Sequence, residues 1–438
     1  MKLISLDNSV INPTWEQAIF EGCTPSGNLY FLDKITPLPR SFFANIIDYS
    51  ITEIAEVVIP HLFKNALPQE SLRVIAAQAV SFAAPLIQLN NQIGALELFH
   101  GPTHAFKDYG ARIMAELMSA LHSAEKPTIT ILTATSGDTG GAVANAFFRR
   151  PGFKVVVLYP NGRVSAVQEQ QFATLGNNVL ALKVDGSFDD CQALVKQAFV
   201  DQKLRSLLKI SSANSINIAR LLPQSFYYIA GYAAFLQRNN FSFGTPLHVS
   251  VPSGNFGNIV AGCIAKRLGT PLGTLIAATN SNRTFTDYLD TGTYTPQISV
   301  KTMSNAMDVG NPNNFPRLLA LCNGSYEEVR NQFTSFSYSD EETKESMKEI
   351  LAEYQYVCDP HSAIGYRALK EFLAQHPKKM QYGIFLHTAH PAKFAESVEP
   401  IAGDQLIIPP ALVIDNSRKS YSIEMANSYD ELRAVLLS

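Results

Sequence analysis

The sequence predicts an α/β fold in which two open parallel-sheet domains flank a cleft, with an additional N-terminal domain ahead of them. Three observations lead there. At 438 residues the chain is well past the size at which one hydrophobic core stops growing, so two or three structural units are expected. Short β-rich runs alternate with stretches of helical period through much of its length. Two of the strand-to-helix turns carry glycines and hydroxyl residues, and open α/β sheets hold their ligands at the carboxyl ends of strands.

The divisions read along the chain are an N-terminal domain over 1–95, a smaller α/β domain over 96–240, a larger one over 241–400 and a C-terminal tail over 401–438. The first of these mixes short apolar stretches with Pro and Gly punctuation, as in Thr36-Pro37-Leu38-Pro39, and has a helical pattern from Ile46 to Val58. From Leu96 the texture becomes strand, loop and helix. Thr128 to Ala134 reads as a strand, Ser136 to Gly141 as a loop, and Val143 and Phe147 lie on a helix. Lys154 to Leu158 and Val179 to Val184 are further strands, alternating with helical stretches at Ala166 to Leu175 and Asp189 to Val200. A second set starts near Leu247: His248 to Val251 as a strand, Pro252 to Asn258 as a loop, and a helix with Val260, Ile264 and Leu268 on one face. Thr274 to Ala278 and Gly383 to Leu386 add short strands, while the charged stretch within 325–350 reads as surface without chemistry.

Composition narrows the function. Hydrophobic residues make up 46% and charged residues 17% of the chain, ordinary globular values that exclude disorder. A net charge of −3 and the lack of any Lys/Arg run argue against nucleic acid as a partner. No run of about 18 apolar residues occurs, so no membrane span is expected. The five cysteines, an odd number without a C-x-x-C pair, fit a reducing compartment. Asp7 and Asn8 interrupt the start before a signal-peptide core develops, and a cytoplasmic protein is expected. Monomer and homodimer are equally compatible with the sequence.

Three loops carry chemistry. Ser253-Gly254-Asn255-Phe256-Gly257-Asn258 lies between a strand and a helix. Glycines there let backbone N–H groups converge on an anion, and the positive helix end favours a phosphate. The spacing fits neither G-x-G-x-x-G nor a P-loop, which weighs against dinucleotide and ATP binding; the bland alternative is a tight turn. The second loop, Thr135 to Gly141, offers hydroxyls and N–H groups to a carboxylate, or else is an N-cap supplied by Ser136, Asp138 or Thr139. The third, Phe99 to Asp108, closes on a helix with Ile113, Leu117 and Leu121 along one face. A lysine at a helix start is usually solvated and inert, and it meets an unfavourable dipole. Held among Phe99 and Phe106, Lys107 could instead stay neutral enough to attack an aldehyde.

Six ordered motifs then become recognisable: HGPTHAFKDYG around Lys107, LTATSGDTGGAVANAF from Leu132, SANSINIARLLPQ from Ser212, VPSGNFGN from Val251, SNAMDVGNPNNFPR from Ser304 and LHTAHPAKF from Leu386. Together they closely resemble the threonine synthase family, fold-type-II pyridoxal phosphate enzymes with a tryptophan synthase β-like fold. The resemblance runs nearly the whole length, with little to compare in the last ~30 residues. It implies conversion of the small molecule O-phospho-L-homoserine, with water, to L-threonine and phosphate, the last step of threonine biosynthesis and a carbon-oxygen lyase reaction. It implies that Lys107 is the catalytic, Schiff-base lysine. Gly254, Asn255, Phe256, Gly257 and Asn258 would hold the pyridoxal phosphate phosphate group. Thr388 would stand beside its pyridine nitrogen and Asp138 near its phenolic oxygen. The substrate phosphate would lie near Arg220, Asn214, Ser215 and Asn217, with Asn217 and Arg220 on one helix face if the segment is helical. The substrate carboxylate would meet Thr135, Ser136 and Thr139. Lys107 would then move the α and β protons, phosphate would leave Cγ and water would add at Cβ.

Two positions depart from the family pattern. Relatives often have Asn where Asp138 stands, and a carboxylate beside a phenolate must share a proton or lean on a cation. His104 stands where Leu is expected. His387 and His390 lack the acidic or thiol companions of a metal site, and no metal is expected. His361 after Asp359-Pro360 reads as a turn, and Asn305, Asp308 and Asn311 to Asn314 read as loop-shaping. Two other functions share much of this pattern: a pyridoxal phosphate serine or threonine dehydratase, which needs no substrate-phosphate site, and a catalytically silent pyridoxal phosphate-binding sensor.

Overall fold

The computed structural model describes residues 1–123, 126–377 and 381–438. Among these residues the chain forms a five-stranded sheet, a six-stranded sheet and a two-stranded antiparallel ribbon. The five-stranded sheet runs Ser422–Ala426, Val179–Asp185, Phe153–Pro160, Ile129–Ala134, Lys209–Ser212, all neighbours parallel. Its centre shows why these segments lack polar alternation. Val155, Val156, Val157 and Leu158 are all fully buried, because helices cover both faces of a parallel sheet. The helices Asp138–Phe147, Ala166–Ala173 and Phe188–Val200 supply that cover.

The six-stranded sheet runs Phe333–Ser337, Leu272–Thr279, Leu247–Pro252, Gly383–His387, Ile93–Glu97, Leu86–Gln88, parallel except for the last pair. This mixed α/β architecture with parallel sheets is the fold class expected from the sequence. The sheets nevertheless cut across the sequence divisions. Leu86–Gln88 and Ile93–Glu97 complete the larger sheet from the start of the chain, and Ser422–Ala426 edges the smaller sheet from its end. The N-terminal helices Ile51–Leu62 and Gln69–Ala79 share one apolar cluster with the helix Lys107–Leu121.

Local differences have local causes. The Ile46 to Val58 pattern is a 3₁₀ turn over Ile46–Asp48 and then the helix Ile51–Leu62, because Ser50 and Glu53 form a capping box that starts a new helix. The stretch read as plain surface contains the edge strand Phe333–Ser337 and the helix Asp340–Tyr354, started by a Ser339/Glu342 capping box. His361 is not in a turn: Asp359 is the N-cap, Pro360 the first residue and His361 the second of the helix Pro360–Gln375. No helix among the described residues is long and apolar enough to cross a membrane.

Candidate active site

The loop before Lys107 is locked by its own residues. Asp108 accepts the Thr103 backbone N–H at 2.8 Å and the Thr103 hydroxyl at 2.7 Å, which folds the chain into a tight turn ahead of the helix Lys107–Leu121. Asp108 also puts negative charge at the positive end of that helix, offsetting the unfavourable position of Lys107. The loop is pinned from the other side by Phe106 N–H on the Thr388 carbonyl at 2.8 Å and His390 N–H on the His104 carbonyl at 3.0 Å. The Lys107 side chain is only 14% exposed. Burial is the main reason its amine is lowered to about 8; the charges of Lys393 and Arg220 add to this and Asp138 opposes it. On the order of a tenth is therefore uncharged and nucleophilic near neutrality, far more than for a solvated lysine.

Across the cleft lies the 254–258 loop. Phe256 adopts a left-handed conformation, φ 63°, held by its buried ring packing 4.8 Å from Phe285. A left-handed residue running into the helix Gly257–Arg267 turns successive N–H groups toward one point, and that helix has no side-chain cap. A Cβ on Gly254 would meet the Met307 Cα at 2.8 Å and the Ala306 carbonyl at 2.9 Å, and one on Gly257 would meet Ser215 at 2.9 Å. Only glycine fits at either position. Asn314 braces the loop from behind, donating to the Asn255 carbonyl at 3.0 Å and to Ser215 Oγ at 2.9 Å. Asn258 Oδ1 accepts from Tyr227 and Tyr228, both at 2.7 Å, while its Nδ2 is buried without a partner. A buried, unpartnered donor beside a ring of free N–H groups fits an anion. With the Lys107 amine facing it, the arrangement fits a phosphate-bearing aldehyde.

Asp138 sits between two lysines. Its Oδ2 is 3.8 Å from Lys107 Nζ and its Oδ1 2.7 Å from Lys393 Nζ, and Gln168 donates to Oδ1 at 2.8 Å. Burial works against the charge, but Lys393, then Lys107, outweigh it and hold this carboxyl well below the usual range. Lys393 is fully buried and also donates to the Thr103 carbonyl at 2.8 Å. Reading the sequence missed Lys393. It lies in the same LHTAHPAKF motif as Thr388, where a lysine amid apolar residues was the available signal.

Most of the expected site residues line one cleft: Lys107, Ser136, Asp138, Thr139, Asn214, Ser215, Arg220, Gly254 to Asn258 and Thr388. Arg220 is buried and has no carboxylate within ion-pair distance among the described residues. One of its nitrogens donates to the Ala213 carbonyl, its Nε has no partner, and burial lowers the group to about 10. Thr135 and Asn217 stand outside the lining. Thr135 Oγ1 accepts the N–H groups of Gly137 and Gly140 at 2.9 and 2.8 Å, shaping the loop. Asn217 is not on a common helix face with Arg220; it caps the short helix Ile218–Leu221 and donates to the Ile19 and Ser212 carbonyls, both at 2.9 Å. His104 turns away at φ 54° and packs edge-on to His390 at 5.6 Å. Arg317, fully buried, donates to the carbonyls of Tyr30, Ser215 and Ile216 and so ties the Arg220 loop to the N-terminal ribbon.

Comparison with known proteins gives the family. The pyridoxal-phosphate dependent enzyme family matches residues 82–388, and the C-terminal domain of threonine synthase matches residues 362–436. The chain is 43% identical over 437 residues to threonine synthase of Haemophilus influenzae, covering all of both chains. Among solved structures it is similar to threonine synthase from Escherichia coli (TM-score 0.92, 40% identity, covering 100% and 99% of the two chains). It is also similar to the pyridoxal phosphate-bound threonine synthase from Brucella melitensis (TM-score 0.87, 31% identity, covering 100% and 99%). Matches of this extent leave no segment of the chain outside the relationship, and the chain belongs to the threonine synthase family of pyridoxal phosphate-dependent enzymes.

Proposed function

We propose that this chain converts O-phospho-L-homoserine and water to L-threonine and phosphate, with pyridoxal phosphate carried on Lys107. The observation that supports the substrate is a second anion site in the cleft. The 254–258 loop suits the cofactor phosphate, and Arg220 remains as a buried guanidinium with an unpartnered Nε and no ion pair among the described residues, only the field of Asp108 acting on it. A buried, unpaired charge is costly, and a phosphorylated substrate would supply its partner. A dehydratase acting on serine or threonine has no use for such a group.

When bound, pyridoxal phosphate supplies the electron sink that makes protons near the substrate's amino-bearing carbon acidic. The chain's own residues do the rest. Lys107, lowered to about 8, takes and returns protons at Cα and Cβ. Asp138, kept ionised by Lys393, would present an acceptor to the phenolic oxygen of the bound cofactor. Ser136 and Thr139, at the start of the helix Asp138–Phe147, hold the substrate carboxylate, while Asn214 and Ser215 flank the substrate phosphate with Arg220. Thr388, in the lining of the cleft, would offer its hydroxyl to the ring nitrogen. A cytoplasmic setting fits five cysteines that are all unpaired and buried.

The test is Arg220→Ala, with phosphate and threonine release measured from phosphohomoserine and cofactor content measured alongside. Loss of a charge-assisted contact should lower kcat/KM roughly 10- to 100-fold with pyridoxal phosphate still bound. Unchanged kinetics would sink the assignment. Cofactor uptake without any phosphate release in the unsubstituted protein would favour a sensor.

A further inference from the structure

Behind the Thr388 side of the cleft, a chain of polar side chains runs inward from the surface. His100 Nε2 lies 2.7 Å from Glu97 Oε2. Tyr356 donates to Glu97 Oε1 at 2.8 Å and its oxygen lies 2.6 Å from His387 Nδ1. His387 Nε2 in turn faces Asp359 Oδ2 at 3.4 Å. The hydrogens can be counted. Tyr356 has one, given to Glu97, so His387 must donate from Nδ1 to the tyrosine oxygen. A neutral His387 then turns a bare Nε2 toward Asp359, and this nitrogen indeed has no hydrogen-bond partner. The fully buried Asp359 carboxylate therefore depends on donors from its own helix.

Those donors lead into the cleft. Asp359 Oδ1 accepts from the His361 backbone N–H at 2.9 Å and from His361 Nδ1 at 2.6 Å, and Oδ2 accepts from the Ser362 hydroxyl. With its Nδ1 hydrogen committed to Asp359, His361 uses Nε2 to accept the Ala306 N–H at 3.2 Å. Ala306 and Met307 are the backbone that leaves no room for a Cβ on Gly254. Ser362 Oγ, having given its hydrogen to Asp359, accepts the Thr388 N–H at 3.3 Å. Burial works against the Asp359 charge, but the hydrogen bonds from His361 and from the Ser362 hydroxyl hold the carboxyl below its ordinary value.

We propose that Asp359 is a positioning residue for the reaction: one buried carboxylate orients His361 against the strip covering the phosphate loop and Ser362 against the Thr388 segment, holding both ends of the cofactor site in register. The proposal rests on the cofactor-site reading above. The competing role is plain helix capping, and an asparagine caps a helix about as well as an aspartate. An asparagine cannot accept from both His361 and Ser362, because its amide nitrogen only donates.

The experiment uses full-length Asp359→Asn, Ser362→Ala and Ser362→Thr proteins. The melting temperature of each cofactor-free protein, and the affinity and absorption maximum of added pyridoxal phosphate, are measured without substrate. Asp359→Asn and Ser362→Ala should weaken cofactor binding roughly three- to tenfold and shift the absorption maximum, with cofactor-free melting temperatures close to the parent's. Ser362→Thr, which keeps the hydroxyl, should restore both. Parent-like affinity and spectrum in Ser362→Ala, or a defect that Ser362→Thr fails to relieve, would overturn the proposal, and this pair decides even if Asp359→Asn does not fold. A lowered melting temperature with unchanged affinity in Asp359→Asn reduces the residue to a cap and also overturns it. Because no substrate is present, failure of phosphohomoserine turnover would be a separate result.

Discussion

Asp138 and its two lysines form the charge balance of the site. Lys393 pushes the Lys107 amine down, and Asp138 pulls it up. Replacing Lys393 by Met removes a positive neighbour, while Asp138 stays ionised near neutrality because Lys107 and Gln168 still face it. Lys107 then keeps its proton to higher pH, by on the order of one unit. The pH dependence with which the Lys107 amine is acylated in cofactor-free protein should move upward in Lys393→Met and stay in Lys393→Arg. A downward or absent movement would remove Lys393 from this role. At this scale the sequence spoke unevenly. Lys107 could be singled out because its loop carries a contiguous pattern. Lys393 was passed over, because beyond its apolar neighbours its significance comes from Asp138, a residue far away in the chain.

The phosphate loop shows what an element contributes that single residues do not. Its N–H groups converge because a left-handed Phe256 precedes an uncapped helix, and its shape is held by Asn314 and by the Ala306–Met307 strip. Gly254→Ala would force that strip away by several tenths of an ångström, and overpacking of this kind costs about 1–3 kcal/mol. Pyridoxal phosphate affinity should fall at least about tenfold, a loss of about 1.4 kcal/mol, while the far-UV circular dichroism of the chain stays unchanged. An alanine variant that binds cofactor normally would mean that the strip yields freely. Most central strands were readable in the sequence because burial on both faces demands continuous Val, Leu and Ile; Ile93–Glu97, interior but interrupted by Gly94, was not. The edge strands Phe333–Ser337, Leu86–Gln88 and Ser422–Ala426 were not, since an edge needs only one partner and tolerates polar residues.

For the whole molecule, the cleft joins loops that follow strands of both sheets: Ser136 and Asp138 from the smaller, Ser253 to Asn258 and Thr388 from the larger. A cofactor held there bridges the two, so its binding free energy adds to the stability of the assembled fold. At a hundredfold excess over its Kd the linkage amounts to about 2.7 kcal/mol. Calorimetry should show a higher melting temperature with pyridoxal phosphate, and a smaller rise in Gly254→Ala. No rise would mean that the cofactor does not bind the native fold preferentially. Sequence alone was enough for the α/β class and the three loops, because these follow from side-chain periodicity and from neighbours a few residues apart, while Lys107 was singled out by the resemblance to a known family. Only the folded chain decided that Lys393 faces Asp138, that Arg220 is buried with no ion pair among the described residues and that Asp359 reaches both ends of the site. Each of those depends on groups distant in sequence meeting where water is excluded, and there the strength of every charge is set by its surroundings and not by its own chemistry.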